Sequence, residues 1–366
     1  MMPLRIVHSE AATSFGGQEQ YIYREMRAMR DRGHHMEAIC QPQAELAQRL
    51  RADGFTVHTL FMDGPVNFVK GVVRLRRILR SGHFDVLNTN SRRDTVLAGC
   101  AGRLAGVPLI VRTRHLAKRA GSLFSYTVIP HRVTTASNFV RDALIERGVR
   151  PGDVATVYPV IEPRIWGGPS TLREELLLAP DDVIVGCVAV MRARKGHRAL
   201  VDAMEPLIRE RPHLHLVFVG GGSPIFEQIQ AYVESKGLKS HVHLLGTRTD
   251  VPNLLAGFDL FALATEQEAS GTVLVEAASV GLAVVATDVD GVPEMVQNDV
   301  TALLVPMHDK AALTAALEKL IDDPGLRARM GEAGRKMIQA EGKFSQSAMV
   351  RSIESCYYRW LGELKK

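Results

Sequence analysis

Glu268-Ala-Ser-Gly-Thr-Val-Leu-Val-Glu276 is the stretch of this 366-residue chain whose residue types and spacing are best suited to chemistry. The strand-like run Asp259-Leu-Phe-Ala-Leu-Ala264 precedes it, Gly271 breaks the pattern, and Ala, Val, Leu and Glu then resume at helical spacing; this predicts strand, turn and helix. The first turn of a helix carries N–H groups without internal partners at the positive end of the macrodipole, so phosphate or diphosphate is its natural guest. Glu268 and Glu276 bracket that seat and would repel phosphate. They read either as acceptors for neutral hydroxyls, a sugar at Glu268 and a ribose at Glu276, or as ordinary helix-start carboxylates.

Other clusters have chemistry of the same kind. Met191-Arg192-Ala-Arg194-Lys195-Gly-His197 opens a helix after a strand, so Lys195, with Arg192 or Arg194, either meets the charge that develops on a diphosphate leaving group or forms a solvated basic turn. Gly220-Gly221-Gly222 and Gly246-Thr-Arg248-Thr249 end the next two strands and offer backbone for a flat base. Gly16 and Gly17 join the first strand to the first helix, where they admit close ligand approach or serve a tight turn; the GxGxxG dinucleotide fingerprint is absent. His115 ends the run Val111-Arg112-Thr-Arg114-His115 at the carboxyl end of a predicted strand, the ligand-bearing edge of open α/β sheets, and Arg112 and Arg114 extend positive potential beside it.

The elements that must position these groups follow from periodicity, since strand-like and helical runs alternate twice along the chain. Strands are predicted at 4–8, 36–40, 56–61, 85–88, 109–112 and 132–135, then at 184–190, 214–219, 242–245, 259–263 and 283–286, with helical patterns between them and a helical tail from about Asp309. Alternation of this kind predicts two α/β, Rossmann-like doubly wound domains facing across a cleft. The Pro- and Gly-rich stretch Val154–Pro169 reads as the linker, giving domains at 1–165 and 166–345 with a final helix from about 346 to 366.

Composition restricts the classes. The chain is 46% hydrophobic and 23% charged, an ordinary globular balance. Cys40, Cys100, Cys187 and Cys356 form no CxxC pair, and no apolar run approaches the roughly 20 residues of a membrane span, so a cytoplasmic protein is expected. Residues 1–165 hold 24 Lys and Arg against 14 Asp and Glu, net +10, and the remainder 21 against 26, net −5. The first half is therefore drawn to something anionic. Val69–Ser81 combines Lys70, Arg74, Arg76, Arg77 and Arg80 with Val72, Val73, Leu75, Ile78 and Leu79: a core-packed helix with a solvated basic face, or a peripheral contact for an anionic membrane. Nucleic acid is not the expected partner, since aromatics make up 6% of the chain and none interleave with the arginines as base-stacking motifs.

Taken together, the Arg/Lys195-Gly196 run, Val219-Gly-Gly-Gly222, Glu268 with seven residues before Glu276, and Val284-Val-Ala-Thr-Asp-Val-Asp-Gly291-Val-Pro-Glu294 resemble the retaining GT-B glycosyltransferases of family 4, over nearly the whole chain. The resemblance implies a nucleoside-diphosphate sugar donor, no cofactor and no metal. It implies Glu268 on the donor sugar, the backbone of Ala269, Ser270, Gly271, Thr272 and Val273 on sugar and diphosphate, Glu276 on the ribose, Lys195 and a nearby arginine on the diphosphate, Arg248 by the base and His115 near the reacting carbon. It also implies an N-terminal acceptor domain, a C-terminal donor domain, and a last helix, with Tyr357, Tyr358, Trp360 and Leu361, that packs back on the first domain. The family's arginine falls here on Val190, so Arg192 or Arg194 substitutes, and its Asn-Gly-Val-Asp hinge is Pro159-Val-Ile-Glu162. Asp288-Val-Asp290 reads as a turn, not a metal site. Val188–His197, Asn88-Thr-Asn-Ser-Arg-Arg-Asp94 and Arg112–His115 are similar to members that build lipopolysaccharide or other cell-surface glycans, which implies a glycan or lipid-linked acceptor. A nucleotide-sugar 2-epimerase of the same fold would need a further acid/base carboxylate in the first domain, with Glu19 and Asp94 as candidates. A basic nucleic-acid binder would need base-stacking aromatics among its arginines, and a non-catalytic sugar-nucleotide sensor would tolerate loss of Glu268.

Overall fold

The computed structural model describes residues 2–161, 168–339 and 342–365, and the chain divides into two compact units, Met1–Val160 with Lys343–Lys366, and Ile161–Gly342. In the first unit the order is β1 (Arg5–Glu10), α1 (Gly17–Asp31), β2 (His35–Cys40), α2 (Glu45–Ala52), β3 (Thr56–Thr59), α3 (Pro65–Ser81), β4 (Val86–Thr89), α4 (Arg92–Ala105), β5 (Leu109–Arg114), α5 (Phe124–Thr127), β6 (Arg132–Thr135), α6 (Asn138–Ile145) and β7 (Val154–Thr156). The seven strands are parallel, in the order β3-β2-β1-β4-β5-β6-β7. The central strands β1, β4 and β5 are buried almost throughout, as a parallel sheet covered by helices on both faces requires.

The second unit runs α7 (Leu172–Glu175), β8 (Val183–Val188), α8 (His197–Glu210), β9 (Leu214–Val219), α9 (Ile225–Ser235), β10 (Val242–Leu244), α10 (Val251–Gly257), β11 (Leu260–Leu263), α11 (Thr272–Ser279), β12 (Ala283–Thr287), β13 (Ala302–Val305), α12 (Lys310–Asp322) and α13 (Pro324–Gln339). Its six strands are parallel too, in the order β10-β9-β8-β11-β12-β13. The last helix, α14 (Gln346–Leu364), belongs to the first unit: Trp360 and Tyr357 are fully buried in its core, and the Tyr357 hydroxyl accepts from Asn88 Nδ2 at 2.9 Å.

Several short elements, α7 among them, depart from the sequence expectations. β7 occupies the start of the stretch read as linker, and Val157, Val160 and Ile161 are buried beyond it, so the connection is shorter than composition suggests; Glu162, at the end of the expected hinge, lies outside the described residues. β13 and α5, of four residues each, are too brief for periodicity to register.

α3 also differs. Leu75 and Leu79 are buried and Val72 and Ile78 half-buried, but Val66, Val69 and Val73 are exposed on the same side as Lys70, Arg77 and Arg80. The solvent face is thus mixed apolar and basic.

Candidate functional site

In the second sheet the strand order reverses between β8 and β11, and the carboxyl ends of those strands lead into the two loops singled out in the sequence. Ligands of open α/β sheets bind outside such a switch point. β8 leads to Arg192–Gly196 and β11 to Thr265–Gly271, and the two loops are stitched by backbone: Glu266 N donates to Arg194 O at 2.8 Å and Thr265 Oγ1 to the same oxygen at 3.1 Å. Gly196 permits this, because at φ 69° a Cβ there would lie 1.7 Å from the carbonyl oxygen of Ala264.

Close approach of the loops brings Lys195 to Glu268, whose Oε2 accepts from Nζ in an ion pair; the two side chains are 24% and 15% exposed. Gly271, at φ 57°, is the residue before α11, and no side chain caps that helix, so its first-turn N–H groups are presented outward. Ala269 is buried in the loop while Ser270, Thr272, Val273 and Glu276 are half-buried along it. The structure therefore gathers Lys195, Glu268, Ala269, Ser270, Gly271, Thr272, Val273 and Glu276 at one sheet edge.

Asp290, which the sequence presents only as a turn residue, completes this loop. It follows β12 in left-handed conformation (φ 49°), and its Oδ2 accepts the Glu268 N–H at 3.1 Å while Gly291 N donates to Glu268 O at 3.0 Å. Both backbone groups of Glu268 are thus clamped by one turn. Burial raises the Asp290 pKa, and the nearby Glu268 adds to the rise, against the lowering effect of the backbone bond. Asp288 is exposed, and among the described residues no three His, Cys, Asp or Glu side chains cluster as a metal site.

Among the remaining predicted residues of this unit, Arg194 and Arg248 have local partners. Arg194 donates to Gln267 Oε1, whereas Arg192 is exposed and has no side-chain partner among the described residues. Arg248 is gripped by Asp250 (2.8 Å) and Glu175 (2.5 Å); these bonds raise its pKa and lower that of Asp250 to about 2. Gly221 packs so closely that a Cβ would fall 2.6 Å from Thr247 Oγ1, so packing alone accounts for a glycine there.

In the first unit the strand order reverses between β1 and β4. Gly16 precedes α1 at φ −124°, its N–H bonded to Glu19 Oε2 at 2.7 Å, and neither backbone strain nor crowding demands glycine at 16 or 17. His115 follows β5 as Asn90 follows β4. Its Nε2 lies 3.0 Å from Asn90 Oδ1 and its ring meets Tyr21 edge-on at 4.8 Å. Desolvation, with His8 adding, pushes the His115 pKa down to about 3, so the imidazole is neutral at physiological pH. With Nε2–H donated to Asn90, Nδ1 is left as an acceptor. The run Asn88–Asp94 gives Asn90 no role of its own; its place just past the strand next to that of His115 is the signal that could have found it.

The expectation that Arg112 and Arg114 add positive potential beside His115 is corrected. Arg112 is 6% exposed, bonded to Ser125 O at 3.0 Å and stacked 3.7 Å from the Tyr126 ring centre, and the buried Arg114 bonds Tyr126 Oη and Lys118 O. Both are spent on holding the 118–126 loop. Glu19 and Asp94 are likewise committed, Glu19 to Gly16 N and Asp94 to the N–H groups of Asn90 (2.8 Å) and Ser91 (2.7 Å). Glu10, which no sequence pattern singles out, is 1% exposed at the end of β1, and burial with the facing Asp94 raises its pKa to about 8.

The chain is similar to known proteins over nearly its whole length. Residues 170–337 match the family model described as glycosyl transferases group 1, and residues 15–164 that described as glycosyltransferase family 4. The UDP-Gal:alpha-D-GlcNAc-diphosphoundecaprenol alpha-1,3-galactosyltransferase of Escherichia coli is 24% identical over 359 residues, 92% of each chain. A lipopolysaccharide core biosynthesis glycosyltransferase of Rhizobium meliloti is 23% identical, over 94% of this chain and 96% of that one. Among solved structures, a glycosyltransferase of Rickettsia africae superposes with a TM-score of 0.88 at 20% identity, covering 98% and 99% of the two chains. Anabaena HepE in complex with UDP and glucose gives 0.85 at 21%, covering 96% and 98%.

Proposed function

The chain belongs to the group 1 glycosyltransferases, GT-B enzymes that move a sugar from a nucleotide sugar, and from that premise we propose that it transfers a hexose-type sugar from a nucleoside-diphosphate donor to a hydroxyl of a glycan or lipid-linked acceptor, with retention, in the synthesis of lipopolysaccharide or another cell-surface polysaccharide. The observation that carries the reading is the meeting of Lys195 and Glu268 at the β8–β11 switch point, beside the uncapped N-terminus of α11.

In this reading the diphosphate sits on the first-turn N–H groups of α11 and draws Lys195 from Glu268, leaving that carboxylate to accept sugar hydroxyls. Glu276 takes the ribose, Arg192 or Arg194 adds charge to the diphosphate, and the backbone about Gly221 and Arg248 flanks the base. His115, neutral and with Nδ1 free to accept, holds a sugar hydroxyl near the reacting carbon. The C1–O bond to the β-phosphate breaks, the nucleotide leaves with the electron pair, the acceptor oxygen bonds C1 on the same face, and its proton passes to the departing diphosphate. Lys195, an arginine and the helix dipole stabilise the leaving charge, so the reaction proceeds without a metal.

The exposed mixed face of α3 supports a peripheral contact with anionic membrane at the site of a lipid-linked acceptor. No described helix is long and apolar enough to cross a membrane.

A thermal-shift panel of UDP-, GDP- and ADP-sugars tests the reading. One class is expected to raise Tm in proportion to the logarithm of its concentration, with the shift abolished in Lys195→Ala. Absence of any shift from all three classes refutes it.

A further inference from the structure

Three histidines with no part in the chemistry above meet at the amino ends of β9 and β10. His215 lies in β9, His241 stands level with it just before β10, and His243 follows two residues on, so the three side chains share one face of the sheet. The His215 ring stacks on that of His241 with centres 5.3 Å apart and lies 5.3 Å from that of His243, and His215 Nδ1 is 3.1 Å from His243 Nε2. Such a contact is a hydrogen bond only while one nitrogen carries hydrogen and the other a lone pair. Protonating both rings sets N–H against N–H.

The surroundings do not answer added positive charge. His215 is 6% exposed, and Asp182 Oδ2 lies 3.6 Å from its Nε2, but that oxygen already accepts the Ala179 N–H at 2.7 Å. Arg173 of α7 bonds the Asp182 carbonyl oxygen at 2.8 Å and pairs with Asp259; together with the exposed His213 it opposes a charge on His215. Burial pushes the His243 pKa down to about 4, with His215 and His241 adding to the fall, and burial lowers that of His215 as well.

β10 is the three-residue edge strand of its sheet and is bonded to β9. At its amino end Leu216 N donates to His241 O at 2.8 Å and His241 Nδ1 donates to Leu214 O at 3.2 Å. Roughly 10 Å further along the strand, its carboxyl end carries the Gly246–Thr249 loop, where Gly220 N donates to Gly246 O at 2.8 Å. That loop flanks the base in the reading above.

We propose that His215, His241 and His243 form an acid-sensitive latch on β10, so that protons and the nucleotide-sugar donor compete: protons favour an opened strand, and the donor favours the strand seated on β9 with its base loop in place. The donor's side of that competition rests on the glycosyltransfer reading; the latch does not. The sign follows from where the protons bind. An opened histidine titrates near the ordinary 6.5 and a seated one lower, so closure is fullest above 6.5 and is lost as pH falls toward 4. For His243 alone this amounts to about thirtyfold in opening at about pH 5, and about tenfold once solvent screening of a half-exposed ring is allowed for.

Hydrogen exchange of the full chain without ligand tests the latch, read as protection factors, which remove the intrinsic pH dependence of exchange. Between about pH 7.5 and about pH 5 the amides of Val242–Leu244 are expected to lose about tenfold in protection while those of the central strand β11 keep theirs. His243→Gln with His241→Asn keeps hydrogen-bonding groups and removes two titrating rings. Its protection is expected to match the parent at about pH 7.5 and to fall less than about threefold at the lower pH, with His243→Gln alone between the two. A nucleotide sugar that raises Tm, added at about ten times its Kd at the lower pH, is expected to restore about tenfold in β10 protection; as a diphosphate diester it gains no proton of its own there. Unchanged protection of β10, or an equal loss in β11, overturns the latch. A parent-like fall in the double variant overturns the histidines as its cause, and no restoration by bound donor overturns the coupling to the base loop. If no nucleotide sugar raises Tm, the glycosyltransfer reading fails and the donor's half of the competition with it, while the ligand-free result still decides the latch.

Discussion

Replacing Asp290 separates the roles of a carboxylate and of a left-handed backbone in holding the donor loop. Asp290→Gly removes the acceptor of the Glu268 N–H, a charge-assisted bond of about 1.5–3 kcal/mol, and relieves the strain of a non-glycine residue at φ 49°, about 1 kcal/mol. The net expectation is destabilisation of roughly 0.5–2 kcal/mol. Asp290→Asn retains an acceptor and removes the repulsion from Glu268 that helps raise the Asp290 pKa, so its stability should stay within about 0.5 kcal/mol of the parent. The donor site should register the change as well as stability. A freed Glu268 backbone loses the fixed aim of its carboxylate, and forfeiting about 1–1.5 kcal/mol of one sugar bond raises the donor Kd roughly five- to tenfold in the glycine variant. Titration calorimetry with the stabilising nucleotide sugar, alongside denaturant melts, reads both quantities. Equal donor affinity in parent, Asn and Gly variants would refute the clamp, and an Asn variant as impaired as the Gly variant would refute the hydrogen-bond account of it.

Other expectations are simpler to read. Glu10 has a folded pKa of about 8 against 4.5 in a model peptide, so the folded state binds the extra proton and stability falls as pH rises between those values; Glu10→Gln should flatten that limb of a pH-dependent melt, and an unchanged slope would count against it. Activity should persist in EDTA; complete loss restored by manganese would reverse the metal-independent reading. Trp360→Ala should cost about 3–5 kcal/mol, because that fully buried side chain fastens α14 into the core of the first unit, and a Tm drop of under a degree or two would show the helix is dispensable. Val69→Asp with Val73→Asp should abolish flotation with anionic vesicles while leaving stability unchanged, since both side chains are already exposed; flotation equal to the parent would remove α3 from the membrane account.

The sequence by itself determined the alternation of elements, and with it two parallel sheets. Periodicity is a local property, and buried parallel strands such as β9, Leu214–Val219, read as continuous apolar runs. It also determined which residue types could bind a diphosphate, because Lys195, Gly271, Glu268 and Glu276 are informative from side-chain chemistry and spacing. Tertiary structure alone decided which charges are available. Arg112 and Arg114 look like site cations in the sequence but are folded under the Tyr126 loop, Arg248 is held between two carboxylates, and Asp290, distant from Glu268 along the chain, bonds its amide. A residue's type fixes its charge; whether that charge faces a ligand, another side chain or a helix end depends on contacts between segments far apart in the chain, which local pattern does not encode.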